Sequence, residues 1–376
     1  MRNDRPKGPG KSGRRERPAE RPAPRSAKPT GERPRPPAPA AVAEPPRRES
    51  VEEIARENRR DRPAVEWPKG ERPAFRAPVV LEVEPGADYA LLDSGDGEKL
   101  ERYGPLTIRR PENQAIWPRR MAAARWDGAD AIFTGDTDEE GAGRWRFPAT
   151  PLGETWPMRQ DGLPYLGRFT SFRHVGVFPE QAVHWRFMTE TIERERERER
   201  HQRPVRVLNL FGYTGLASLL AARAGAEVTH VDASKRAIGW ARENAELAGL
   251  SGAPIRWICE DAVRYAEREA RRGSAYDIIL LDPPKFGRGP KGEVWQLFED
   301  LPHLLVLMRQ LLSDRPLALV LTAYSIRSSF YSLSALMGEA MRGLGGTVES
   351  GELVIREEGE DARHLSTSLF SRWVSA

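Results

Sequence analysis

From residue 205 onward the sequence alternates between two hydrophobic periodicities, and no other feature restricts the fold as much. Short runs rich in Val, Ile and Leu at residues 205–210, 227–231, 255–259, 276–281 and 317–322 read as buried strands. Longer amphipathic stretches at residues 214–224, 234–248, 261–272, 295–312 and 328–344 read as helices. Parallel strands need a crossover, and a helix is the usual one, so this alternation predicts a doubly wound α/β sheet. Ligands of such sheets bind beyond the carboxyl ends of the strands. Residues 347–356 and 366–374 add two closing strands, which brings the expected sheet to seven with one antiparallel member.

The region before this alternation has a different texture. Residues 1–50 hold 12 of the 32 prolines and no Phe, Trp or Tyr, with 14 Lys or Arg against 6 Asp or Glu. A segment with so little to bury cannot offset the entropy of ordering it, so residues 1–76 are expected to be a disordered, basic, Pro/Arg-rich tail. Its first 50 residues carry +8, which leaves −4 on the other 326. Two readings of the tail stand: an arm that raises affinity for RNA by counterion release, or a solubilising extension. Residues 77–176 contain short β-like runs with turns such as Ser94-Gly95-Asp96-Gly97, and are expected to form a small all-β domain. Within it Arg109, Arg110, Trp117, Arg119, Arg120, Arg125 and Trp126 interleave cations with aromatics. That composition serves phosphate and base contacts, or fills a small core with tryptophan and rims it with arginine. Residues 177–376 form the α/β domain, opened by a helix over 181–203 whose Glu-Arg alternation reads as a solvated face.

Composition removes several classes of function. The single cysteine, Cys259, excludes an intramolecular disulfide and a multi-cysteine metal site, and is expected to be buried. The histidines show no metal-ligand spacing. No apolar run reaches the ~18 to 20 residues of a membrane span, so a cytoplasmic protein without a membrane partner is expected.

The chemistry should gather at the strand ends. The first strand of the alternation runs into Phe211-Gly212-Tyr213-Thr214-Gly215 at a helix start, where glycine lets a ligand approach the backbone. Asp232 ends the second strand, where a carboxylate can accept hydrogen bonds from both hydroxyls of a ribose. Asp261 follows the third. The fourth ends in Asp282-Pro283-Pro284-Lys285-Phe286, whose two prolines fix an extended backbone that presents acceptors rigidly. A nicotinamide dehydrogenase would account for the glycines and Asp232 but has no use for Asp282-Pro283-Pro284.

In residues 209–215, Val231-Asp232, residues 241–250, Glu260-Asp261-Ala262 and residues 282–286 the chain resembles the class I S-adenosylmethionine-dependent methyltransferases. More narrowly, it is similar to the ribosomal RNA large-subunit methyltransferases that include the cytosine-C5 enzymes. The small β module and Val177-Phe178-Pro179-Glu180-Gln181 at the junction share that likeness, which covers roughly residues 79–376. The resemblance implies a Rossmann-like seven-stranded methyltransferase sheet, S-adenosyl-L-methionine as cofactor, and RNA, ribosomal RNA above all, as partner. It puts Gln181, Phe211, Gly212 and Gly215 at the cofactor, the glycines against its methionine part. Asp232 would hold the ribose, Asp261 would face the adenine amino group, and Asp282 with Pro283 would line the methyl-transfer site.

The cytosine-C5 members attack the base with a cysteine after the fifth strand, and here that position reads Ser325. Without the thiol, the expectation shifts to an exocyclic amine held by Asp282 and the Pro283 carbonyl. Phe286 would stack on the flipped base and Lys285 would hold a phosphate. A protein or small-molecule substrate, or a non-catalytic RNA-binding role, stays open at this point.

Overall fold

The computed structural model describes Arg59 and residues 64–135, 143–198, 203–324 and 326–376. Ser325 and most of the expected tail lie outside the described residues. The tail does not extend to residue 76. β1 (Ala74–Phe75) and β2 (Val79–Val83) instead pair in parallel with one strand near the carboxyl terminus.

A five-stranded sheet follows, made in chain order by β3 (Tyr89–Gly95), β4 (Glu98–Tyr103), β5 (Leu106–Pro111), β6 (Ala131–Gly135) and β7 (Gly143–Arg146). A separate hairpin, β8 (Thr155–Gln160) and β9 (Leu163–Arg168), completes this region. It is not all β, because α1 (Ala123–Asp127) packs the fully buried Trp126 into it. Most of the interleaved cations are spent internally: Arg109 pairs with Glu98 at 2.7 Å, Arg110 with Glu101 at 2.7 Å, and Arg119 lies 4.2 Å over the Trp126 ring. Of the two readings of that stretch, the core-and-rim one describes these residues.

The α/β part runs α2 (Ala182–Glu197), β10 (Arg206–Leu210), α3 (Leu216–Arg223), β11 (Glu227–Asp232), α4 (Lys235–Leu247), β12 (Ile255–Cys259), α5 (Ala262–Arg272) and β13 (Ile278–Leu281). The hairpin β14 (Phe286–Arg288) and β15 (Val294–Gln296) follows. Then come α6 (Leu297–Leu311), β16 (Ala318–Tyr324), α7 (Phe330–Ala340), β17 (Thr347–Arg356) and β18 (His364–Val374). All five alternating strands and both closing strands form where the sequence places them. β13 is buried on both faces, which explains its unbroken Ile-Ile-Leu-Leu run.

The main sheet has nine strands rather than seven, in the order β1/β2, β17, β18, β16, β13, β10, β11, β12. The surplus is β1 and β2, drawn from residues assigned to the tail and the small domain. β18 runs antiparallel to both of its neighbours. Chain order reverses at β10, which pairs with β11 on one side and β13 on the other. Crossovers leave the sheet in opposite directions there and open a crevice beyond the ends of β10 and β13. β12 is the outer edge, so Cys259 at its end is exposed rather than buried. No helix among the described residues is long and apolar enough to cross a membrane.

Candidate active site

The crevice at the switch point is lined by Gln181, Phe211, Gly212 and Asp282 from the expected site, together with Phe178, His184 and Asn209. It is narrow, with about 60 Å3 for the centre of a water-sized molecule. Asp232 and Asp261 lie beyond it, at the ends of β11 and β12, joined by the bond from the Glu260 N–H to the Asp232 carbonyl at 3.1 Å. Lys285 and Phe286 are not brought in. Lys285 is exposed, and Phe286 belongs to the β14–β15 hairpin outside the lining.

The loop after β10 has an unusual backbone. Phe211 and Tyr213 adopt φ of 59° and 49°, and Gly215 φ of 83°, a conformation that costs a residue with a side chain roughly 1–2 kcal/mol. Its N–H groups are already engaged: Gly212 donates to the Val231 carbonyl at 3.0 Å, Tyr213 to Asp232 Oδ2 at 2.9 Å, and Gly215 to the Gly212 carbonyl at 3.0 Å. These three N–H groups are therefore satisfied within the protein. Gly212 is glycine for a packing reason as well, because a Cβ there would lie 2.4 Å from His230.

Side chains from other elements hold this strained loop. The Tyr213 hydroxyl meets His174 Nδ1 at 3.0 Å, and the Thr214 hydroxyl donates to the Gly176 carbonyl at 2.7 Å. Asn244 of α4, fully buried, donates to the Thr214 carbonyl and accepts from the Leu166 N–H, both at 3.0 Å. Segment 173–176 is fixed in turn by Arg110, which donates to the Arg173 carbonyl at 2.9 Å. Asn244→Ala leaves the buried Thr214 carbonyl and the half-buried Leu166 N–H unpaired and is expected to lower stability by roughly 2–3 kcal/mol. Urea denaturation of the variant measures this, and an unchanged midpoint would show that the bridge holds nothing.

The two carboxylates at the outer strand ends differ in role. Asp232 accepts from Tyr213 and, at 2.8 Å, from the Ser234 N–H, while burial pushes its carboxyl above the ordinary aspartate range. It does not cap α4, since Ser234 does that by accepting from the Ala237 N–H. Asp261 does cap a helix: its Oδ1 accepts from the Arg264 N–H at the start of α5. Beyond the end of β13 the exposed Pro284 is pinned by Trp295, whose Nε1 donates to its carbonyl at 2.7 Å. Gln181 is oriented by the Thr322 hydroxyl, 3.2 Å from its Oε1.

His184 was missed by the sequence reading. It is buried, lines the crevice, and neither ring nitrogen has a hydrogen-bond partner among the described residues. Burial lowers its pKa to about 3, so the ring is neutral, with one donor and one acceptor unmet. Its place one turn after Gln181 on the helix that opens the domain was the available signal. Phe178 and Tyr213 lay inside motifs already singled out, whereas nothing in the sequence marked His174.

Known proteins can now be set beside this geometry. Residues 193–302 match the family model described as conserved hypothetical protein 95. A ribosomal RNA large subunit methyltransferase K/L of Syntrophotalea carbinolica is 35% identical over 135 residues, 36% of this chain and 17% of that protein. A ribosomal RNA large subunit methyltransferase I of Aeromonas salmonicida is 36% identical over 137 residues, 36% of this chain and 32% of that protein. The chain thus spans a third or less of these curated relatives. The crystal structure of the SAM-dependent methyltransferase from Agrobacterium tumefaciens is 61% identical, with a TM-score of 0.78 over 82% of this chain and 97% of that one. SMU.776 complexed with SAH, at 19% identity and a TM-score of 0.57 over 77% of this chain and 76% of that one, supports the fold alone. With nearly the whole of the Agrobacterium protein matched at that identity, the chain belongs to the S-adenosylmethionine-dependent methyltransferases.

Proposed function

We propose that the protein transfers the methyl group of S-adenosylmethionine to a nitrogen of a base in RNA, with ribosomal RNA as the substrate. The observation that carries this reading is the meeting of Asp282, at the end of β13, with the loop after β10 in one crevice. The named relatives act in its favour, since both matched curated proteins are ribosomal RNA methyltransferases. The seven strands β17, β18, β16, β13, β10, β11 and β12 make the methyltransferase sheet, and the region from β3 to β9 is the RNA-docking domain.

The donor set suits the cofactor. Asp232 holds the ribose hydroxyls, with Asp261 toward the adenine. The amino-acid end of the cofactor supplies an ammonium and a carboxylate, which complement the unmet donor and acceptor of His184 and the Gln181 amide. When bound, the sulfonium provides an already activated methyl group, so the protein's work is alignment. The Asp282 carboxylate and the Pro283 carbonyl accept hydrogen bonds from the target amine and aim its lone pair at the crevice. Burial of Pro283 keeps water from that face.

A cysteine mechanism at cytosine C5 does not fit the described chain. Cys259 sits at the end of β12, four strands from β16, a separation of roughly 19 Å at ~4.8 Å per strand. Partial desolvation and the neighbouring Asp232 carboxylate also push its thiol up, away from the reactive thiolate. The test is transfer of labelled methyl to ribosomal RNA from a strain lacking the gene, with mass spectrometry of the nucleosides. Label on a base nitrogen is the expected result. Label at cytosine C5 would overturn the nitrogen target, and label only in protein or small molecules would overturn the RNA substrate.

A further inference from the structure

The segment that follows Asp282 and Pro283 is held by the start of a helix. Its next two carbonyls are both taken there: Pro284 accepts from Trp295 Nε1 at 2.7 Å, and Lys285 accepts from the Leu297 N–H at 3.0 Å. Trp295 is buried, and its ring lies 5.1 Å from that of Phe211, which lines the crevice. Residues 295–297, where β15 passes into α6, therefore set the position of Pro284 and Lys285.

That junction depends on a residue from the other end of the chain. Gln296 stands at the N-cap of α6, but its side chain makes no capping bond. Asp300, in the first turn of the helix, instead accepts from the Gln296 N–H with Oδ2 at 2.6 Å. The Asp300 carboxylate is fully buried, and a buried charge is costly unless a cation and hydrogen bonds match it. Arg59 provides the match. Its Nε donates to Asp300 Oδ1 at 3.0 Å, and its Nη2 donates to Asp300 Oδ2 at 3.2 Å and to Gln296 Oε1 at 2.8 Å. One guanidinium thus ties the N-cap side chain to the carboxylate that holds the N-cap backbone.

We propose that Arg59 is a positioning residue of the methyl-transfer site, which fixes the β15–α6 junction and, through Trp295 and Leu297, the segment that carries Asp282 and Pro283. This rests on the role given to Asp282 and Pro283 above and extends it to a residue of the stretch whose composition reads as a tail. The site calls for arginine, because three acceptor atoms on two side chains face one planar fork, which an ammonium does not reproduce. Cofactor binding is separate, since Asp232 and Gln181 are held by other bonds. The cost of losing Arg59 therefore falls on the alignment of the reacting groups, where a displacement of about 1 Å lowers a rate by roughly 100-fold.

The experiment compares Arg59→Met and Arg59→Lys with the unaltered full chain by hydrogen–deuterium exchange, calorimetry with S-adenosylhomocysteine, and methyl transfer. In Arg59→Met the amides of residues 284–297 are expected to exchange about 10- to 100-fold faster, the magnitude of one lost charge-assisted pair, while those of β10 and β11 keep their rates. The affinity for S-adenosylhomocysteine should not change, and kcat should fall about 10- to 100-fold with KM for S-adenosylmethionine unaltered. Arg59→Lys, which keeps the charge without the fork, should lie between the two on both readouts. Unchanged exchange at residues 284–297 in Arg59→Met overturns the proposal, as does faster exchange there with kcat intact. Exchange that rises equally in β10 and β11, with weaker cofactor binding, also overturns it, because Arg59 would then serve general stability. Should the unaltered chain methylate no RNA, the RNA reading fails alone, and exchange at residues 284–297 still decides whether Arg59 holds the segment.

Discussion

Asp232→Ala is expected to weaken binding of S-adenosylhomocysteine by about 100- to 10,000-fold in calorimetry. A carboxylate that accepts two ribose hydroxyls makes two charge-assisted hydrogen bonds, each contributing ~1.5–3 kcal/mol, and each 1.4 kcal/mol is tenfold in affinity. The same carboxylate fixes the Tyr213 and Ser234 N–H groups, so its loss also releases a loop that holds Phe211 and Tyr213 at positive φ. Methylthioadenosine, which keeps the ribose but lacks the amino-acid end, separates the two ends of the site. Asp232→Ala should weaken both ligands, whereas His184→Phe should weaken only S-adenosylhomocysteine. Equal affinity of Asp232→Ala and the unaltered chain would remove the ribose role, whatever substrate the enzyme methylates.

The parts of this site that were legible were those written in consecutive residues. Gly212 and Gly215, Asp232, Asp261 and Asp282 follow strands whose apolar runs are unambiguous, and topology alone brings Gln181, Gly212 and Asp282 to one end of the sheet. What escaped depends on distant pairing. β1 and β2 complete the sheet only because β17 arrives at the far end of the chain, and no local pattern announces a parallel partner. Cys259 looked like a core residue until the strand order made β12 an edge. Phe286 was chosen because it follows the prolines, yet the β14–β15 hairpin keeps it out of the lining, and the crevice takes Phe178 from the domain junction instead. The interleaved arginines and tryptophans misdirect in the same way. Their spacing suits nucleic acid, but Glu98 and Glu101 across the sheet consume Arg109, Arg110 and Arg119.

Acid is expected to destabilise the free protein steeply below about pH 6.5. Burial lowers His174 to about 4 and His184 and His230 to about 3, against ~6.5 in an unfolded chain. All three are neutral in the fold and take up protons only when it opens, so their contribution is fully present above pH 6.5 and is lost as the pH falls toward 4 and 3. Each proton taken up by the unfolded chain adds about 1.4 kcal/mol per pH unit to the slope. Asp232 and Glu180, raised by burial, bind protons earlier in the fold than when unfolded and subtract from it. The net slope therefore lies between about 1.4 and 4 kcal/mol per pH unit, for one to three protons. Glu101, Glu112 and Asp277 are held below the ordinary carboxylate range and extend the loss only at lower pH. Against a total stability of ~5–15 kcal/mol, that slope brings unfolding within a few pH units of neutrality. Urea denaturation from pH 7.5 to 5 measures it, and His184→Phe should reduce the slope by about 1.4 kcal/mol per unit. A flat profile over that range would mean that the histidines are hydrated in solution, and with them the crevice that His184 lines.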